Sequence, residues 1–113
     1  MIDNKEKIIE YFKSGVKQNK DFKIGIEHEK FLFNKKNNKR VDYSKIKEMF
    51  NALLEFGWNP VYEKDNIIAL NKSGKNITLE PGNQIELSGD KLNHIHEACS
   101  ESQDYLFELK QVT

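Results

Sequence analysis

Two short segments of the chain carry oxygen-bearing side chains at a spacing suited to a hard cation. In Gly25-Ile26-Glu27-His28-Glu29-Lys30-Phe31, alternation along an extended strand puts Glu27 and Glu29 on one face about 7 Å apart, and His28 with Ile26 on the other. Two carboxylates so placed repel each other unless a cation sits between them. Mg²⁺ would serve, since it takes oxygen ligands and completes its octahedron with waters and phosphates. A solvent-facing strand with spaced charges accounts for the same pattern. The second segment is Thr78-Leu79-Glu80-Pro81-Gly82-Asn83-Gln84-Ile85-Glu86-Leu87-Ser88. Parity groups Thr78, Glu80, Gln84, Glu86 and Ser88 against Leu79, Ile85 and Leu87, provided that the Pro-Gly step keeps the register. If the two polar faces adjoin, Glu27, Glu29, Glu80 and Glu86 converge, which is costly unless they bind metal. A Pro-Gly turn between two ordinary amphipathic strands is the alternative.

Other polar residues read less specifically. His94 and His96 are two apart on an expected helix, not at the i, i+4 spacing of a chelating pair. His28, opposite the carboxylates, is expected to be packed or hydrogen-bonded. Cys99 falls on an apolar stripe and is expected as a small buried hydrophobe. Lys35, Lys36, Lys39 and Arg40 form a basic cluster without interleaved aromatics for base stacking, so a solvated loop is expected there.

The elements that must position these residues follow from periodicity and turn chemistry. Ile8, Ile9, Tyr11, Phe12 and Val16, with Asp3 and Glu6 imitating a capping box, predict a helix over Lys5 to Lys17. Alternation predicts a strand within Phe22 to Phe33, followed by the polar turn Asn34 to Lys39. Ile46, Met49, Phe50, Leu53 and Leu54, with Ser44 as N-cap and Gly57 past the end, predict a second helix. Short strands are expected at Trp58 to Tyr62, Ile67 to Leu70, Ile77 to Glu80 and Gln84 to Ser88, joined by turns short enough for antiparallel neighbours. Asp90 is read as the cap of a last helix with Leu92, Ile95, Ala98, Cys99, Leu106 and Leu109 on its apolar face. The sum is an α+β fold, an antiparallel sheet of about five strands with three helices.

Composition narrows the function classes. The 113 residues are expected to form a single domain, and 18 Lys+Arg balance 18 Asp+Glu. That balance provides no global field for polyanions or anionic membranes, so neither nucleic acid nor membrane is an expected partner. No apolar run approaches the roughly 20 residues of a membrane span, and the residues after Met1 lack an apolar signal core. A soluble, cytoplasmic location is therefore expected. Cys99 is the only cysteine, which excludes an internal disulfide and multi-thiolate metal sites. Seventeen Lys accompany the single Arg40, so repeated bidentate guanidinium recognition of phosphate is not available from this chain alone.

The two acidic segments, in their order and about fifty residues apart, closely resemble the N-terminal portion of glutamate-cysteine ligase of the plant and proteobacterial type. Gly57-Trp58, Tyr62-Glu63, Leu92, His96 and Cys99 are similar to that family as well. The resemblance implies an ATP- and Mg²⁺-dependent ligase that starts glutathione synthesis. In it the γ-carboxylate of L-glutamate is phosphorylated and the amine of L-cysteine displaces the phosphate. It also implies a glutamine-synthetase-like fold with a concave antiparallel sheet. By the same resemblance, Glu27, Glu29, Glu80 and Glu86 are metal ligands, Gln84 touches substrate or a metal-bound water, and no residue is assigned as catalytic. Such ligases are several times longer, so this chain is expected to be incomplete for catalysis. The rival expectation is a non-catalytic binding or oligomerising domain on the same scaffold, and a bare sheet face or edge favours a homodimer. A third is another phosphoryl-transfer enzyme of that superfamily.

Overall fold

The structure is a computed structural model, and it describes residues 4–113. Helix α1 (Lys5–Ser14) is followed by a 3₁₀ turn (Asn19–Asp21) and strand β1 (Glu27–Phe31). Helix α2 (Tyr43–Leu53) runs into a 3₁₀ turn (Leu54–Phe56). Then come β2 (Asn59–Glu63), β3 (Asn66–Lys72), β4 (Lys75–Glu80), β5 (Gln84–Ser88) and helix α3 (Ile95–Val112). The five strands form one sheet in the order β1-β5-β4-β3-β2, antiparallel throughout. The α+β class, five antiparallel strands and three helices are thus as expected.

The turns explain why β2 to β5 form a meander. Ser73 and Gly74, with φ of 48° and 85°, make a two-residue connection with both central residues left-handed, whose twist suits a tight hairpin. The β4–β5 connection is one residue longer, Pro81-Gly82-Asn83, and closes with Gly82 and Asn83 left-handed at 73° and 58°. Strand β1, by contrast, joins the sheet at the far side, beside β5. That pairing is made between residues more than fifty positions apart and sets the two acidic segments next to each other.

Both α2 and α3 pack on one sheet face. Ile46, Met49, Phe50 and Leu53 of α2 meet Ile67, Leu70, Ile77, Ile85 and Leu87 of the sheet, with Trp58, Tyr105 and Leu109 completing the core. Ile67 and Leu70, three apart, both point inward because β3 carries a bulge where Val61 pairs with Ala69 and Tyr62 with Ile67. Removing the core-facing residues leaves Asn76, Thr78, Glu80, Gln84, Glu86, Ser88, Glu27 and Glu29 for the opposite face.

Several local expectations are corrected. The strand expected within Phe22 to Phe33 is only Glu27–Phe31, flanked by isolated bridges Ile24 to Leu92 and Phe33 to Arg40. Helix α1 stops at Ser14, and its cap is Asn4, whose side chain accepts the Lys7 N–H; the expected role of Asp3 lies outside the described residues. The N-cap of α2 is Asp42, not Ser44. Its carboxylate accepts both the Ser44 hydroxyl (2.6 Å) and the Lys45 N–H, and the hydroxyl above all holds the Asp42 carboxyl below its ordinary range. Asp90 does not cap α3, which starts five residues later at Ile95. There Glu97 accepts the Asn93 N–H at 2.6 Å and reaches back to that of His94. The Asn93 bond is the main cause that lowers the Glu97 pKa. This contribution is present at neutral pH and lost as pH falls through the lowered value. His94 therefore precedes the helix instead of sharing it with His96.

Helix α3 is also rotated relative to its expected apolar stripe. Ala98, Glu101, Tyr105 and Leu109 face the core, whereas Ile95 and Leu106 are exposed. Cys99 is exposed as well, correcting its expected burial. Rapid, complete reaction of Cys99 with an aromatic disulfide reagent is accordingly expected in the folded chain. A rate that rises only in urea would contradict the helix orientation.

Candidate functional site

Register decides which acidic residues are neighbours. Glu29 pairs with Glu86 across β1 and β5, and Glu27 pairs with Ser88. On the other side of β5, Glu86 pairs with Thr78 and Gln84 with Glu80. Paired residues in an antiparallel sheet project to the same face, so all four carboxylates and Gln84 lie on the face opposite the helices. Glu86 is central: Glu29 is directly opposite it, and Glu27 and Glu80 are its diagonal neighbours on the two flanking strands. Directly opposite side chains have Cβ atoms about 5 Å apart, diagonal ones about 7–8 Å, both within reach of glutamate side chains.

Like charges directly opposite each other destabilise a strand pair, and no described cation relieves them. The ion pairs among the described residues use other acids: Lys72 with Glu108, Lys75 with Glu101, Lys45 with Glu48 and His94 with Glu97. On the acidic face the partners are hydroxyls. Thr78 Oγ1 donates to Glu80 at 2.7 Å and Ser88 Oγ to Glu86 at 3.1 Å. These contacts hold each carboxylate along its own strand. Among the described residues no three acidic, histidine or cysteine side chains close around a common point. The four carboxylates therefore share a face without meeting as a preformed cage, short of the convergence expected from parity. An all-oxygen donor set still suits Mg²⁺, which is held by one or two carboxylates while waters and substrate phosphates fill the remaining positions.

His28 projects to the helix side, as expected. Its Nε2 lies 3.3 Å from Ser102 Oγ and its ring packs edge-on to Tyr105. Burial pushes the Tyr105 phenol up from its ordinary pKa. Sequence reasoning missed three polar residues that shape the site's surroundings. Buried Glu101 accepts the Asp90 N–H at the exit of β5. Glu108 accepts the Trp58 indole N–H and the Lys72 ammonium, both at 2.6 Å. Only the acid at i, i+3/i+4 spacing with Tyr105 and Leu109 hinted at the first, and nothing local marked the second.

The third is Arg40, expected in a solvated loop. Its guanidinium stacks on Phe31 at 4.2 Å and donates to the Gly82 carbonyl, while Asn83 Nδ2 donates to the Val41 carbonyl at 3.3 Å. Arg40-Val41 and Gly82-Asn83 thus grip each other across the end of the acidic face, beside Glu80 and Gln84. Arg40→Ala is expected to cost about 1 kcal/mol in urea denaturation, with Lys restoring less than half. A loss of zero would return Arg40 to the solvated loop.

Comparison with known proteins follows the same lines. Residues 23–113 match the model of glutamate-cysteine ligase family 2 (GCS2). The chain is 41% identical over 109 residues to a chloroplastic glutamate-cysteine ligase of Medicago truncatula, covering 96% of this chain and 22% of that protein. It is 41% identical to the chloroplastic ligase of Nicotiana tabacum and 38% identical to chloroplastic ligase A of Oryza sativa subsp. japonica, with similar coverage. The chain thus spans about a fifth of the length of these relatives. Their chloroplastic names overturn the expected cytoplasmic location: missing apolar segments describe the residues in hand and are no address. No helix among the described residues is long and apolar enough to cross a membrane. The resemblance carried by the two acidic segments holds across the aligned length, and the chain belongs to glutamate-cysteine ligase family 2.

Proposed function

We propose that the open sheet face is the metal- and nucleotide-facing wall of an ATP-dependent ligase site, with Glu86 and Glu29 as the principal Mg²⁺ ligands and Glu27 and Glu80 flanking them. The overall reaction would join the γ-carboxylate of L-glutamate to the amine of L-cysteine, with ATP yielding ADP and phosphate. Mg²⁺, when bound, would neutralise phosphate charge during phosphoryl transfer. The chain's own residues would hold that charge in place. Thr78 and Ser88 would orient Glu80 and Glu86, Arg40 and Asn83 would fix the turn beneath them, and Gln84 would offer a donor and an acceptor to substrate. A glutamine-synthetase-like fold for the whole enzyme belongs to this proposal.

The observation that supports the reading is the direct pairing of Glu29 with Glu86, a repulsive contact that a bridging cation would convert into an attractive one. Isothermal titration of Mg²⁺, then of ATP with Mg²⁺, into the chain tests it, and saturable heat is expected. A second reading, a non-catalytic binding or oligomerising domain, draws on the absence of a preformed three-acid cluster among the described residues and on the single Arg. It calls for no Mg²⁺ heat and a concentration-dependent sedimentation coefficient.

A further inference from the structure

On the helix side of the sheet, where β1 continues into the following loop, lies an open groove of about 910 Å³ between that loop, α2 and the end of α3. Its apolar lining includes Leu32, Val41, Met49, Leu109 and Val112, and the exposed side chains of Phe33 and Leu106 extend it outward. Its rim is cationic: Lys30, Lys35, Lys36, Lys45 and Lys110 against one acid, Glu48. Glu48 is engaged by Lys45 at 2.7 Å, and among the described residues the other four lysines have no ion-pair partner. A net-neutral chain has thus concentrated positive charge around apolar surface, on the face away from the carboxylates.

We infer that this groove seats an acidic amphipathic segment from the part of the ligase fold outside these 113 residues. Two observations select that occupant. An apolar floor inside a lysine rim is complementary to a segment with one apolar face and carboxylates flanking it. In addition, roughly four fifths of each relative lies outside the region matched here, so the family fold contains ample chain to cover a surface this apolar. The occupant sets its apolar side chains on Met49, Leu109 and Val112 and directs its carboxylates to Lys30, Lys36 and Lys110. The inference rests on family membership and not on the metal reading, so either can fail alone.

The test is an array of overlapping peptides tiling the Medicago truncatula relative outside its aligned region, probed with the labelled 113-residue chain beside scrambled copies. Capture is expected on few peptides, each acidic and amphipathic. It should fall about tenfold in Lys36→Glu/Lys110→Glu and in Lys35→Glu/Lys36→Glu, and weaken with added salt. All three lysines are exposed, so thermal midpoints near that of the unaltered chain should accompany the loss. Equal capture by scrambled peptides, capture indifferent to both double variants, or no capture overturns the inference. So does a dimer in sedimentation that the same variants dissociate, which would assign the groove to a second copy.

Discussion

Replacing Glu86 by Gln is expected to abolish Mg²⁺ binding while slightly raising the stability of the metal-free chain. Both effects come from one pairing. Glu86 lies directly opposite Glu29 and diagonal to Glu27 and Glu80, so a neutral carboxamide there removes the shared ligand and the closest like-charge contact. A directly opposed pair of like charges costs about 0.5 kcal/mol, which corresponds to a rise of about 2–3 °C in the midpoint of a domain this size. Titration calorimetry should show the Mg²⁺ heat lost in Glu86→Gln, nearly lost in Glu29→Gln, and reduced but measurable in Glu27→Gln and Glu80→Gln. The order follows from direct against diagonal pairing. A Glu86→Gln chain that binds Mg²⁺ as before, or is destabilised without it, would leave the acidic row as a plain solvated face.

Gly89→Ala is expected to destabilise the chain by about 2–3 kcal/mol. Gly89 directly follows β5, donates its N–H to the Ile26 carbonyl at 2.8 Å, and lies against α3. A Cβ there would overlap Glu101 Oε1 and sit 2.9 Å from Ile26 Cγ1. Glu101 cannot simply swing aside, being buried, bonded to the Asp90 N–H and 3.9 Å from Lys75 Nζ. Glu101→Ala alone should cost about 1–3 kcal/mol, because it leaves the Asp90 N–H without its acceptor. The Gly89→Ala/Glu101→Ala double variant, however, should lose clearly less than the sum, since the second change opens the space that the first needs. Strict additivity in urea denaturation would show that the glycine is not required by this contact. The consequence reaches the acidic face, because Gly89 follows Ser88 and fixes how β5 leaves the sheet.

Parity is what made the acidic face legible. Glu27 with Glu29, and Glu80, Gln84 and Glu86 together, share faces because a strand alternates with period two, and the Pro81-Gly82-Asn83 turn preserved that register. The core helix α2 was equally clear, since Ile46, Met49, Phe50 and Leu53 keep helical spacing. Helix α3 misled because its inward face includes Glu101 and Tyr105, while the apolar Ile95, Leu106 and Phe107 are exposed. Composition ranks apolar residues, but this face also uses the bonds that Glu101 makes. The caps of α2 and α3, Asp42 and His94, were misplaced for a related reason: several polar residues compete near each helix start, and the geometry of the entering chain selects one.

The sequence by itself determined the strand and helix types, the face on which each carboxylate lies within its own strand, and the family resemblance, because all three depend on residue type and short spacing. Only the tertiary structure decided that β1 pairs with β5. That long-range choice makes Glu29 the direct partner of Glu86, brings Arg40 against Gly82 and gathers five lysines around one groove. Such contacts depend on how the core is buried and the chain closed, and short-range spacing carries no record of them.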